Sequence, residues 1–203
     1  MKLTELRERI REYISDGRYL HTLAVERECA ALADLYGLDA NTSRQLAYAA
    51  LLHDITKEKN TEQQLRLCAE YAIPFGEEDR HAPKTLHART GAALAAAHFP
   101  ALADETVCGC IRWHTTGRAG MTLPEKLLYL ADYIEDTRTF PDCVELRRCF
   151  YANIGSTDRF RLLDDVLIMS FDMTIRDLSE NGSIISLDTI SARNDIIVRR
   201  TTK

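Results

Sequence analysis

Residues 46–55 read LAYAALLHDI, an apolar helical run that ends in a histidine and an aspartate. The Ala- and Leu-rich stretch from Asn41 to about Ile55 has the pattern of a buried helix. His53 and Asp54 therefore follow a run that should face the core. A buried ionised carboxylate costs several kcal/mol unless a cation compensates it.

A second apolar run has the same peculiarity. Residues 127–134 read LLYLADYI and place Asp132 among residues that should be buried. An arginine could neutralise one such aspartate in a structural ion pair. Two of them, with a histidine adjacent to the first, point to a metal site instead.

Helical spacing and capping residues predict a series of helices around these two runs. Capping boxes are expected at Thr61 with Gln64 and at Thr122 with Glu125, and single caps at Asp104, Asp142 and Thr157. The predicted helices cover residues 3–14, 19–36, 41–55, 61–73, 86–98, 104–114, 122–135, 142–153 and 157–180. We expect a loop over 76–84 and a mixed segment from Ser183 onward.

The fold class predicted from this pattern is all-α, because the sequence has no period-two run of any length and little Gly or Pro. The length of 203 residues suits one domain over residues 1–203. Its core is expected at about residues 18–150, with a C-terminal helix and tail at 157–203. The six cysteines are expected to be reduced packing residues.

Charge and hydropathy limit the classes of partner. The net charge of -5 argues against a nucleic-acid-binding surface but leaves room for a small anionic ligand. The N-terminus lacks the apolar core of a signal peptide, and no stretch is long enough for a membrane span. We therefore expect a cytoplasmic protein with no membrane contact. An exposed hydrophobic face on the long C-terminal helix would suit a homodimer.

The histidines matter as an ordered set rather than singly. A lone histidine on an apolar face is more often a hydrogen-bonded core residue than a ligand. In order, the candidates are His21, His53, Asp54, His87, His114 and Asp132. Helical bundles build metal sites from inward-pointing ligands on separate helices, and histidine with carboxylate suits iron, manganese or zinc. The minimal ligand set is His21, His53, Asp54 and Asp132, and His87 and His114 would hold a second ion or contact the substrate.

Five segments carry a resemblance to a known family. They are RYLHT at 18–22, LLHDITK at 51–57, LHARTGA at 86–92, HTTGRAGMTLPEK at 114–126 and LADYIEDTRTFP at 130–141. The ordered set resembles the HD-domain metal-dependent phosphohydrolases. The segments, in this order, are similar to the YqeK family of symmetrical bis(5′-nucleosyl)-tetraphosphatases. The similarity is close from Arg18 to Arg147 and looser over the last third.

The resemblance implies an all-helical HD domain that hydrolyses diadenosine tetraphosphate to two molecules of ADP. It implies an iron-type metal held by His21, His53, Asp54 and Asp132. It also implies a nucleotide pocket lined by Arg18, Lys57, His87, His114 and Arg138, with residues 181–186 approaching the nucleoside.

Three residues are candidates for catalytic roles. Asp54 could orient the attacking water with one carboxylate oxygen. His87 or His114 could protonate the leaving phosphate, since imidazole titrates near neutral pH. If a second ion is present, these two histidines become its ligands instead.

Lys57 and Arg138 would neutralise phosphate charge. Each also has a purely structural interpretation. Lys57 could interact with the C-terminal dipole of the helix before it, and Arg138 could pair with a nearby surface carboxylate.

Two alternatives to the symmetrical tetraphosphatase stay open. One is another HD-type hydrolase, acting on a nucleoside monophosphate, a deoxynucleoside triphosphate or a cyclic nucleotide. The other is a non-catalytic helical module that binds a nucleotide or a protein. The segments around His114 and Asp132 favour the tetraphosphatase, and the buried carboxylates count against a pure binding module.

Overall fold

The computed structural model describes residues 1–156 and 158–201, and these residues contain helices and turns but no strand. This confirms the all-α prediction. The helices are Leu3–Ile10 (α1), Asp16–Tyr36 (α2), Ala40–Leu52 (α3), Thr61–Glu70 (α4), Glu77–His81 (α5), Leu86–His98 (α6), Glu105–Trp113 (α7), Leu123–Ile134 (α8), Pro141–Asn153 (α9), Arg159–Glu180 (α10) and Leu187–Thr201 (α11).

The packing centres on helices α2, α3, α7 and α8. Helix α2 packs along α3 and α8, and α7 packs against α3, α6 and α8, while α10 lies on α9 and α11. One hydrophobic cluster joins side chains from Leu6 of α1 to Ile196 of α11. The single domain expected over residues 1–203 stays a prediction, which this shared core supports.

The end of helix α3 positions the first part of the candidate site. The helix begins after Asp39, whose carboxylate accepts hydrogen bonds from the backbone N–H groups of Asn41 and Thr42 at 2.8 and 3.0 Å. It ends at Leu52, so His53 is its C-terminal cap. Asp54 lies in the turn that follows, outside the helix that was predicted to reach residue 55.

Two of the predicted caps are confirmed at their predicted residues. Thr122 and Glu125 form the expected capping box, and Asp104 caps α7. The capping box of α4 is one residue earlier than predicted, at Asn60 with Gln63.

The prediction that Asp142 caps α9 is wrong. The N-cap residue is Phe140, which makes no side-chain capping bond, and Pro141 opens the helix. Proline suits that first position because its missing N–H would have no helical partner there. The cap predicted at Thr157 lies outside the described residues, and Asp158 caps α10.

Two segments differ from expectation. Part of the predicted loop at 76–84 forms the short helix α5, followed by a 3₁₀ turn over Pro83–Thr85. The segment predicted as mixed contains α11, which buries Thr189, Ala192 and Ile196. Those positions have helical spacing, but only two are apolar, so the sequence signal was weak.

Two further expectations concern cysteines and membranes. The six cysteines are all free in the structure, as predicted. In the described part of the chain, none of the helices combines the length and the hydropathy needed to cross a bilayer.

Candidate metal centre

The six residues proposed as ligands meet where helices end or approach one another. His21 lies in α2, His53 and His114 cap α3 and α7, and His87 is in the first turn of α6. Asp54 follows His53, and Asp132 lies in the last turns of α8. All of them except His21 are buried, and the side chain of His21 is only 11% exposed. The structure therefore brings the whole predicted set together inside the protein.

The first group of ligand atoms surrounds one oxygen of Asp54. His21 Nε2 lies 3.0 Å from Asp132 Oδ1 and 3.7 Å from Asp54 Oδ2. His53 Nε2 lies 3.4 Å from Asp54 Oδ2 and 3.9 Å from Asp132 Oδ1. The ligand atoms of His21, His53 and Asp54 all lie within 4.8 Å of one another, close enough to share an ion.

The second group surrounds the other oxygen of the same carboxylate. His87 Nε2 and His114 Nε2 lie 3.3 and 3.5 Å from Asp54 Oδ1. They are 3.0 Å from each other. Asp54 therefore stands between two groups of imidazoles, with one oxygen toward each.

Hydrogen bonds at the far side of each ring orient the imidazoles. Nδ1 of His53, His87 and His114 donates to a main-chain carbonyl three residues earlier, at 2.7, 2.6 and 2.7 Å. Because a carbonyl can only accept, the proton is on Nδ1 and the lone pair is on Nε2. Nδ1 of His21 is held in the same way by Glu135 Oε1, at 3.1 Å. Metal-binding histidines are oriented by this type of bond.

Several polar atoms in the cluster are buried without a hydrogen-bond partner. They include His21 Nε2, His53 Nε2 and Asp54 Oδ1. The 3.0 Å approach of His21 Nε2 to Asp132 is thus a close contact but not an aligned hydrogen bond. An unsatisfied buried polar atom costs about 1–3 kcal/mol. Imidazole and carboxylate atoms in this arrangement fit a hard or borderline divalent cation.

The electrostatics keep the carboxylates ionised. Burial opposes ionisation, but His53 and the other imidazoles hold the pKa of Asp54 well below its usual range. Arg138 and His21 likewise hold the pKa of Asp132 well below its usual range. Two ionised carboxylates in a buried cluster favour a bound cation.

The pKa values of His87 and His21 shift in opposite directions. Burial lowers the pKa of His87 to about 4, which makes that imidazole neutral at physiological pH. Burial also acts to lower the pKa of His21, but the carboxylates of Asp132 and Glu135 outweigh it and raise the pKa to about 9.

Three cationic side chains that were proposed to line a nucleotide pocket border the cluster. Arg18 Nη1 donates to Asp54 Oδ2 at 2.9 Å, and Arg138 Nη2 donates to Asp132 Oδ1 at 2.5 Å. Lys57 Nζ lies 3.1 Å from His87 Nε2. Arg138 therefore faces the cluster, although its Nε also lies 3.9 Å from Glu135.

Sequence reasoning did not identify Glu135 and Thr115. Glu135 is 1% exposed and accepts hydrogen bonds from Thr137 Oγ1 and N, at 2.8 and 2.6 Å, as well as from His21. Thr115 Oγ1 lies 3.2 and 3.1 Å from Nε2 of His87 and His114. The spacing of Glu135, three residues after Asp132, could have indicated the same helix face.

Residues 181–186 are the part of the predicted pocket that the structure does not bring to the cluster. Within the described ranges, the hydrogen bonds of this segment stay inside residues 177–190.

A cavity lies on each side of the cluster. The first, here the Phe140 cavity, has a volume of about 390 Å³ and is lined by Arg18, His21, Arg138 and Phe140 among others. The second, here the lysine cavity, has a volume of about 290 Å³ and includes Lys57, Lys59, Lys84 and His87. The cluster is thus flanked by two spaces that a ligand could enter.

The HD domain family model matches residues 18–136, a range that contains all six cluster residues. This chain belongs to the HD domain family. HD domains of this type are metal-dependent phosphohydrolases, and the cluster supplies the imidazoles and carboxylates that such a centre needs.

Curated relatives agree with the family assignment. A Bacillus subtilis protein is 33% identical over 93% of this chain and 94% of its own length. A Halalkalibacterium halodurans protein is 32% identical over 94% and 95%. A Staphylococcus aureus protein is 32% identical over 78% and 79%. All three are named "Bis(5'-nucleosyl)-tetraphosphatase, symmetrical", so the predicted resemblance is confirmed.

A solved structure shows the same fold. It is a crystal structure from Clostridium acetobutylicum, described as a "predicted HD superfamily hydrolase involved in NAD metabolism". The two chains share 32% identity over 98% of each, with a TM-score of 0.83. The likeness in fold therefore extends over nearly the whole chain.

Proposed function

We propose that this HD domain protein hydrolyses dinucleoside tetraphosphates symmetrically, with diadenosine tetraphosphate giving two molecules of ADP. The observation that best supports this proposal is the cluster itself. Four imidazole Nε2 atoms face two ionised carboxylates, and three cationic side chains border them. The three relatives named for this activity support the choice of substrate.

The metal proposed for the site is iron. His21, His53, Asp54 and Asp132 would hold one ion, and Asp54, His87 and His114 would hold a second. The placement of one Asp54 oxygen toward each group of imidazoles supports two ions rather than one. When bound, such ions polarise phosphoryl oxygens and lower the pKa of water.

The protein's own cations would bind the polyphosphate. Arg18 and Arg138 reach the His21 side of the cluster, and Lys57 reaches the His87 side. In the absence of substrate they pair with Asp54, Asp132 and His87. Phosphate oxygens would take over part of these bonds, and an arginine can offer two N–H groups to one phosphate.

The state of the imidazoles bears on the proposed proton transfers. A histidine that protonates the leaving phosphate needs a proton on Nε2. The bonds from Nδ1 to the carbonyls of Lys84 and Ile111 leave Nε2 of His87 and His114 with a lone pair. This favours the ligand role for both residues. Lys57 Nζ, beside His87, is then the N–H group placed to hydrogen-bond the leaving phosphate oxygen.

Product analysis tests the activity. Purified protein with a measured metal content is incubated with diadenosine tetraphosphate, and the products are separated by chromatography. ADP alone supports the proposal, whereas AMP with ATP contradicts symmetrical cleavage. Asp132→Ala protein, prepared identically, should give no product and so excludes a contaminating phosphatase.

The same experiment separates the alternatives. Hydrolysis of a monophosphate, a triphosphate, a cyclic nucleotide or a nicotinamide dinucleotide, without that of the tetraphosphate, would indicate another HD-type hydrolase. No turnover of any nucleotide by metal-loaded protein would favour a binding module. Elemental analysis, followed by chelation and reconstitution with iron, manganese or zinc, tests the metal. An iron content below that of the other metals, with no recovery on iron, would contradict the iron assignment.

A further inference from the structure

The two cavities that flank the cluster have different chemistry. Among the described residues, the lining of the lysine cavity contains no Phe, Tyr, Trp, Asp or Glu. It contains three lysines with Asn, Thr and Gln side chains. The Phe140 cavity contains an aromatic ring, hydroxyl groups, two arginines and the carboxylates of Glu58 and Glu135. A ligand that enters both sides would meet unlike surfaces.

Phe140 places an exposed aromatic side chain beside the first cavity. Its side chain is 65% exposed, whereas Cys143 and Leu146 lie on the buried face of α9, the helix that Phe140 precedes. Phe140 therefore contributes little to packing. An exposed aromatic face next to a phosphate-binding region is the arrangement on which nucleobases stack.

The loop that carries Phe140 is held by several hydrogen bonds. Arg147 donates through Nε to the carbonyl of Ile134 at 2.6 Å and through Nη2 to the carbonyls of Glu135 and Arg138. Arg138 also bonds to the main chain of Asp132 at 2.8 Å. The ring is thus attached to a segment whose position relative to the cluster is fixed, which reduces the entropy lost on binding.

The lysine cavity suits phosphates without a base. Lys59 and Lys84 have no ion pair or side-chain hydrogen bond in the described part of the chain. With Lys57, whose Nζ lies 4.0 Å from Asp54 Oδ1 in the cluster, they place three ammonium groups around a concave space whose lining contributes no carboxylate to Lys59 or Lys84. Such a space attracts a polyanion.

We infer that nucleoside recognition is one-sided: the Phe140 cavity binds one nucleoside, and the lysine cavity binds only the phosphates of the other half. This rests on the proposed tetraphosphatase function. The second nucleoside is then dispensable, and a nucleoside 5′-tetraphosphate is a substrate, hydrolysed to a nucleoside diphosphate and pyrophosphate.

The reaction balances with water as the only co-reactant. The water oxygen bonds to one of the two central phosphorus atoms, and the bond from that phosphorus to the central bridging oxygen breaks. The bridging oxygen leaves with the other diphosphate, and one proton is released to solvent at neutral pH. No oxidant or further cofactor is consumed.

The test compares adenosine 5′-tetraphosphate with diadenosine tetraphosphate on the same metal-loaded protein. We expect ADP and pyrophosphate from the first, with kcat/KM within about tenfold of the second, since one stacked base is retained. Hydrolysis of the dinucleotide alone would overturn the inference and leave the proposed function intact. Failure of both substrates would overturn both. Products other than ADP and pyrophosphate would also contradict the inference.

Product inhibition tests the two cavities separately. Phe140→Ala should raise the inhibition constant of ADP about tenfold and leave that of pyrophosphate unchanged, because only ADP carries a base. Phe140→Trp should restore ADP binding. Val144→Ala is the matched control, since Val144 is an exposed apolar residue of the same helix that does not line the cavity.

Substitution of Lys59 and Lys84 should instead affect inhibition by pyrophosphate. The double variant Lys59→Ala with Lys84→Ala should raise the inhibition constant of pyrophosphate about tenfold, and the corresponding arginine variant should retain binding. Unchanged pyrophosphate inhibition in the alanine variant would remove the lysine cavity from the site. Equal effects of Phe140→Ala on ADP and pyrophosphate would show that Phe140 acts on the fold of the loop rather than on a base.

Discussion

Helix α8 carries two buried carboxylates in very different surroundings. Glu125, in the first turn, is 4% exposed and accepts hydrogen bonds from Thr122 N at 2.7 Å and from Arg118 Nε and Nη2 at 3.2 and 3.1 Å. Asp132, two turns later, is 7% exposed and faces His21 and His53, whose Nε2 atoms have no hydrogen-bond partner.

The difference separates a structural carboxylate from a functional one. The chain supplies a donor for each oxygen of Glu125, so burial there is compensated within the fold. Around Asp132 the chain supplies a donor from Arg138, but it also leaves the Nε2 atoms of His21 and His53 and one oxygen of Asp54 without a hydrogen-bond partner, and a bound cation would satisfy these atoms together. Burial alone does not distinguish the two residues, but the hydrogen-bond inventory of their neighbours does.

The strongest test of this comparison removes a proposed ligand. Asp132→Ala or His53→Ala should lower turnover of the tetraphosphate by about three orders of magnitude or more, because the metal is lost with the ligand. Metal content and activity are measured on the same sample. Full turnover in either variant would show that the cluster is not the site.

Glu135 should have a smaller effect, since it acts through His21. Glu135→Ala should weaken metal binding by about 10- to 100-fold, as is usual when the group that orients a metal-binding histidine is lost. Glu135→Gln keeps an acceptor for Nδ1 and should recover part of the affinity. Calorimetric titration of the metal-free proteins measures the metal affinity of each variant and of the unmodified protein. Equal affinity in all three would show that Glu135 does not support metal binding through His21.

Lys57 should affect the substrate rather than the metal. Lys57→Ala should raise KM for the tetraphosphate about tenfold or lower kcat, because a charged phosphate contact is lost. The metal content should equal that of the unmodified protein. Unchanged kinetics with metal retained would place Lys57 outside the site.

The smallest effect on activity is expected at Glu125. Glu125→Gln should leave kcat and metal content within about twofold of the original values and lower the free energy of unfolding by about 2 kcal/mol, because hydrogen bonds to a charged group are weakened. Urea denaturation and the tetraphosphate assay measure the two quantities. Loss of metal in this variant would contradict the distinction between the two ends of α8.

The sequence predicted the all-α fold because it has no period-two run and little Gly or Pro, and it predicted the first ligand candidates for a different reason. Polar residues interrupt apolar runs at His53–Asp54 and at Asp132. Hydrophobic packing does not explain a carboxylate at such positions, whereas a metal site does. Two of the local features that it missed, Glu135 and helix α11, lacked such contrast. Glu135 begins the polar segment EDTR, where one more carboxylate is ordinary. Helix α11 buries few apolar residues, so its pattern resembled a surface segment.

The two cavities depend on tertiary contacts and could not be predicted. Lys59 and Lys84 come from separate segments, and nothing in either segment shows that they share a space. Phe140 was predicted only as part of a family segment, and its exposure follows from how α9 packs. The sequence therefore indicates which residues are chemically unusual, and the structure adds which ordinary residues stand beside them.

The main-chain anchoring of three histidines has a consequence for how this centre tolerates change. His53, His87 and His114 take their ring orientation from the peptide carbonyl of the residue three positions before them. No neighbouring side chain has to be retained for that purpose, so the surrounding sequence is free to diverge while the rings keep their direction. Transfer of these three histidines to another helical bundle would require the same helix termini but few additional polar side chains to orient the rings.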